Sequence, residues 1–153
     1  MFEMKEPFKM VEKIFFADIK ADTGNVFPKE LLEKIVYASN YLNCFQVPIM
    51  VVNDPGYART KGIFKKYNGL RIDEMKDLFV GRLERLFMED GIVYASMFLE
   101  SDRIDNSFDS KIIRPFGLAQ NDAIGNITVF HLLLLNFVDK SEDSYATYRN
   151  LDF

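Results

Sequence analysis

The chain has 153 residues, 48% of them apolar and 27% charged, which fits one globular domain and excludes whole-chain disorder, collagen-like repeats and coiled-coil rods. Its 19 Lys and Arg stand against 23 Asp and Glu, a net charge of −4, so only a local surface, not the whole molecule, is suited to a polyanion. A single cysteine, Cys44, excludes an intrachain disulfide. Together with an opening stretch that lacks a signal peptide's basic start and apolar run, it predicts a reducing, cytoplasmic setting.

In chain order, the aromatic and β-branched run 13–20 predicts a strand that ends in the turn residues Thr23, Gly24 and Asn25. Pro28 then stands where a first helical residue would, and Leu31, Leu32, Ile35, Val36 and Leu42 recur at helical spacing, which predicts a helix over 28–43. The apolar run 47–52 predicts a second strand. Over 73–90, Met75, Leu78, Phe79, Leu83, Leu86 and Phe87 form one stripe opposite a charged one, so the spacing predicts an amphipathic helix stopped by Gly91. Three strands follow at 92–99, 111–119 and 127–138, as an antiparallel meander, and 139–153 is a polar tail, mobile or docked through Tyr145, Tyr148 and Phe153. The longest apolar stretch, 127–135, is too short for a membrane-spanning helix. The pattern as a whole predicts one α/β or α+β domain. It has a mixed sheet of about five strands, two main helices, an N-terminal β-α-β unit followed by a helix, and the C-terminal meander.

Several groups of residues could carry function. Between 55 and 72 the cations Arg59, Lys61, Lys65, Lys66 and Arg71 occur without an acid, among Tyr57, Phe64, Tyr67 and three glycines. Cations and flat rings on a glycine-rich loop suit an acidic protein surface or the phosphates and bases of a single strand. The same residues also fit a solvated connection pinned by its aromatics. An acidic stretch, Glu100, Asp102, Asp105 and Asp109, opposes this basic one, so two copies of the chain could pair head to tail.

A right-handed crossover through the 28–43 helix would bring Asp18, Asp22, Asn53 and Asp54 to the carboxyl ends of two parallel strands, below Arg59 or Lys61. Carboxylates there suit Mg²⁺ and a phosphorylated substrate. Phe16, Ala17, Asp18 and Ile19 before a Pro-led helix resemble the opening of a class III nucleotide cyclase over 13–42. No Gly-Asp hairpin follows to supply a second metal carboxylate, so that activity is not carried over. His131 is the single histidine and, mid-strand among Val129, Leu133 and Leu135, reads as a core residue. Cys44 reads as a buried thiol rather than as half of a Cys-His nucleophile pair. The resulting expectation is a non-catalytic protein-protein interaction or assembly protein, a subunit, adaptor or inhibitor without cofactor or membrane contact. A Mg²⁺-dependent nucleotide or phosphate enzyme and a single-strand nucleic-acid binder are the alternatives.

Overall fold

A computed structural model describes residues 6–20, 25–40 and 42–140, together with the backbone of 149–150. The architecture is α+β, a single compact domain in which a curled, mixed sheet carries two main helices. Its elements are β1 (Pro7–Phe16), α1 (Lys29–Ser39), β2 (Met50–Val52), α2 (Ala58–Tyr67), β3 (Phe79–Glu89), β4 (Ile92–Glu100), β5 (Lys111–Asn121), β6 (Ile127–Asp139) and the two-residue β7 (Arg149–Asn150). Across the sheet they run β1-β4-β3-β2-β6-β5-β7, with β2–β6 and β5–β7 parallel and every other pair antiparallel.

The segment 73–90, expected to be a helix, is two short 3₁₀ turns followed by β3. A β-bulge between Leu83 and Arg85 shifts the alternation of β3 by one residue. Leu83 and Leu86, three apart, therefore both face the core, and the stripe imitates helical spacing. Gly91 does not end a helix. With φ of 52° at Asp90 and 76° at Gly91, the pair forms the left-handed two-residue turn that suits the twist of a β3–β4 hairpin. The second helix lies earlier, at α2, in the segment read as a loop. Thr60 and Phe64, one turn apart, face inward there, and Asn68, left-handed at φ 53°, ends the helix. The C-terminal strands form two hairpins, β3–β4 and β5–β6, on opposite sides of β2, in place of a three-stranded meander.

Two apolar layers hold the fold. Inside the curl, Leu32 and Ile35 of α1 meet Leu83, Leu86, Val93, Met97 and Leu135, and Phe15, Phe27 and Phe130 interlock with ring centroids 4.9 to 5.5 Å apart. On the outer face of β2, β6 and β5, α2 and its flanking turns bury Tyr57, Phe64, Met75, Phe79 and Phe116. Both faces of residues 132–137 are thereby covered, as the doubly apolar run of β6 predicts. The expected docking of the tail by Tyr145, Tyr148 and Phe153 falls outside the described residues. Among the described residues, no helix is long and apolar enough to cross a membrane.

The curl brings β1 back against β5, and there the carboxyl of Glu12 faces the Arg114 guanidinium and the Lys140 ammonium. Burial raises its pKa more than those two cations lower it. A carboxyl with a raised folded-state pKa favours the fold when protonated, and that contribution is lost as pH rises through the folded pKa. Glu12→Gln is accordingly expected to raise the melting temperature at pH 7, with the two proteins converging below pH 4.5, the ordinary value for this group. A lower melting temperature for the variant at pH 7 would show that attraction to Arg114 and Lys140 outweighs desolvation.

Candidate functional site

The sheet order decides which predicted site residues can meet. β4 and β3 lie between β1 and β2, and the two flanking strands run antiparallel to each other, so their carboxyl ends point to opposite ends of the sheet. Asp18, left-handed at φ 60° and bonded through its N–H to the Phe27 carbonyl, sits at one end. Asp54 sits at the other, and Asp22 falls outside the described residues. The expected crossover site for Mg²⁺ is therefore not assembled from Asp18 and Asp54. Groups of three His, Cys, Asp or Glu placed to hold a metal are not found among the described residues.

Asp54 instead organises the start of α2. Its Oδ2 accepts from the Thr60 N–H at 2.7 Å and the Thr60 hydroxyl at 2.6 Å, and its Oδ1 accepts from the Arg59 N–H at 3.3 Å. These bonds satisfy N–H groups that the first helical turn leaves without helical partners. Asn136, in β6 opposite Val52, receives the Asp54 N–H on Oδ1 and donates Nδ2 to the Asp54 carbonyl, both at 2.9 Å. Asp54 follows the carboxyl end of β2, and Asn136 is paired with Val52 in the last rung of the parallel pair β2–β6, so the carboxyl-end placement expected for Asp54 holds, with β6 as the neighbour in place of β1. Beside them lies a cavity of about 210 Å³ lined by Gly56, Tyr57, Lys111, Phe137 and Asp139 among others. Lys111 is fixed at its mouth by a 2.9 Å bond to Asn53 Oδ1 and lies 5.2 Å from the Phe108 ring centroid.

Much of the positive charge of 55–72 is taken up locally. Arg59 forms an ion pair with Asp77, whose carboxyl it holds below its usual range, and donates Nη2 to the Glu74 carbonyl at 2.7 Å. Arg71 pairs with Asp73 at 3.3 Å and lies over the Tyr67 ring, as does Lys66 from the other direction. Lys61 lies over Tyr57, and Lys65 is exposed in the last turn of α2, where a cation suits the helix dipole. Of the opposing acids, Glu100 is buried and paired with Arg103 at 3.3 Å, Asp105 caps the 3₁₀ turn Asn106–Ser110 by accepting from Ser107, and Asp102 and Asp109 are exposed.

Cys44 and His131 are both exposed rather than buried, and they line one groove with Ser39, Leu42, Gln46 and Phe130. Partial burial pushes the Cys44 thiol up, opposite to the shift that would activate a nucleophile. His131 opens to solvent because the outer face of β6 is covered only from Leu133 onward.

One surface has no counterpart in the sequence reading, the outer face of β1, β4 and β3. Register pairing sets four rows across it: Lys9, Phe98 and Arg82; Val11, Ser96 and Arg85; Lys13, Tyr94 and Phe87; Phe16, Ile92 and Glu89. The guanidinium of Arg82 lies 4.9 Å from the Phe98 ring centroid and that of Arg85 lies 4.6 Å from Phe87, which stacks on Tyr94 at 5.1 Å. Glu84, between them, is spanned by Lys9 at 3.0 Å and Ser96 at 2.9 Å, which hold its carboxyl below its usual range. Four cations and two acids, Glu84 and Glu89, thus stand among four aromatic rings, and no described element covers the stacked arginines. The signal for this face was period-two alternation in Arg85, Phe87 and Glu89 and in Tyr94, Ser96 and Phe98, hidden once β3 is taken for a helix.

In comparison with known proteins, the chain matches no protein family, no curated protein and no solved structure.

Proposed function

We propose that this chain is a non-catalytic protein-protein docking or assembly protein and that the outer face of β1, β4 and β3 is its docking surface. The observation that carries this reading is the pair of Arg-on-aromatic stacks, Arg82 on Phe98 and Arg85 on Phe87, on a sheet face that no described element covers. Arg and aromatic side chains are the types that concentrate binding energy at protein interfaces. Stacking also orders each arginine beforehand, so less rotamer freedom is lost on binding. The reading involves no cofactor and no membrane, and a reducing cytoplasm suits the exposed thiol of Cys44.

The test is the particle size of the chain in a gentle extract of its own cells. The wild-type chain is expected to run in a larger particle, and Arg82→Glu/Arg85→Glu is expected to release it as a free chain. Unchanged migration of the variant, or a wild type that already runs free, would sink the proposal.

A further inference from the structure

We infer that the occupant of this face is a second copy of the chain, which presents the acidic segment 101–110 at the end of its own sheet. The inference rests on the docking reading above and names its partner. Three observations on the face and the segment support it.

First, the face is locally positive in a negative molecule: Lys9, Lys13, Arg82 and Arg85 outnumber its two solvent-facing carboxylates, Glu84 and Glu89, while the whole chain carries −4. The complementary patch is on the same chain. Asp102 and Asp109 are exposed, and among the described residues neither carboxylate takes an ion pair, whereas Asp105 is bonded to Ser107 and Asp77 and Glu100 are held by Arg59 and Arg103.

Second, the two patches lie on different surfaces of one molecule. The acidic segment caps the sheet end where Ser101 bonds to the Glu6 carbonyl and Arg103 to the Phe79 carbonyl, and the cationic rows lie on the outer face of the three strands. Among the described residues no ion pair joins them within one copy, but between copies an end can seat on a face. A contact between unlike patches closes into a ring or continues as a filament, according to the rotation it imposes.

Third, both patches are built to stay in place. The acidic segment is two 3₁₀ turns anchored by Ile104 and Phe108, which pack on the core, and the arginines of the face are stacked on rings. The three cationic rows on three strands make a contact smaller than a standard protein interface, so the association is weak, concentration-dependent and sensitive to salt.

The experiment is the molar mass of the purified chain by light scattering across protein concentration, at low and high salt, for the wild type and two charge-reversed variants. Arg82→Glu/Arg85→Glu reverses the face. Asp102→Lys/Asp109→Lys reverses the end and leaves the Asp105 cap intact. The wild-type mass is expected to rise with concentration at low salt and to fall to that of one chain at high salt. Each variant alone should associate at least about tenfold more weakly, because like charges then face each other.

An equimolar mixture of the two variants should recover the association, since each supplies a patch complementary to the other's. That recovery would also show that both variants fold. A wild type that is monomeric throughout overturns the second-copy inference while leaving the docking reading to its own test in cell extract. Association unchanged in both variants, or a mixture that stays monomeric, overturns it as well. If the monomeric wild type carries nucleic acid, seen as excess absorbance at 260 nm and lost in Arg82→Glu/Arg85→Glu, the occupant is a nucleic acid instead.

Discussion

Replacing Asn136 by alanine is expected to lower the unfolding free energy by about 2 to 4 kcal/mol, through one orphaned main-chain N–H, the loss of a second bond and a small cavity. Asn136 is fully buried, and its amide satisfies both the N–H and the carbonyl of Asp54. Without it, the N–H of buried Asp54 loses its partner at the point where β2 hands over to α2, and the Asp54 carbonyl keeps only the Tyr57 N–H at 3.0 Å. Asp54→Ala acts on the same junction from the other side. It removes the acceptor for the Thr60 hydroxyl and two helix N–H groups, and a cost of about 2 kcal/mol is expected for loss of such a cap. The two losses should not add, because both variants dismantle one network. Urea denaturation of the two single variants and the double variant measures this. An Asn136→Ala loss below about 1 kcal/mol would mean that water or a shifted side chain takes over the amide's role.

Gly117→Ala is expected to cost at least about 3 kcal/mol or to prevent folding, with Gly81→Ala close behind, since overpacking at a main-chain contact has little room to relax. A Cβ at Gly117 would stand 2.3 Å from the His131 carbonyl oxygen and 2.5 Å from Cζ of the Phe130 ring. The ring is held against Phe15 and Phe27, and the carbonyl belongs to the neighbouring strand, so neither can give way cheaply. At Gly81 the same atom would meet the Phe98 carbonyl oxygen at 2.3 Å and Leu99 Cδ2 at 2.7 Å. Gly62, by contrast, has open space around its Cβ position, and alanine there should be neutral or slightly stabilising because it favours the helix. Thermal melts of the three variants settle the order. A Gly117→Ala protein within about 0.5 kcal/mol of wild type would show that the β5–β6 pairing can shift at its bulge.

Much of the fold was legible where local chemistry and tertiary packing agree. The helix α1 follows from the spacing of Leu32 and Ile35, although it ends at Ser39, short of the expected Asn43, and holds Pro28 just before its first turn. The strands β4, β5 and β6 follow from their apolar runs and the polar segments between them. The reading failed at 73–90 for an identifiable reason. One extra residue in a strand turns a period of two into a local spacing of three, and periodicity alone cannot distinguish that from a helix turn. The Asp90-Gly91 pair was the available corrective, being a strong hairpin signal when strands flank it. The short segment α2 was missed because its glycines suggested a loop, whereas its helix is fixed by a cap six residues before Thr60 and by the burial of Phe64.

The candidate site divides along the same line. The order of predicted elements and of charges by itself determined that the chain is a single mixed α+β domain and that it carries opposed basic and acidic segments. Those properties depend on side-chain chemistry and short-range spacing, which a linear sequence displays directly. Tertiary structure alone decided which charges are spent. Arg59 and Arg71 meet Asp77 and Asp73 within their own neighbourhood, while Lys9, Lys13, Arg82 and Arg85, drawn from strands up to about seventy residues apart, are set side by side by ladder register. Whether Asp18 and Asp54 could share an ion was likewise a matter of strand order. Register and strand order are set by long-range pairing, whose energetics depend on every partner strand at once, and no local pattern encodes them.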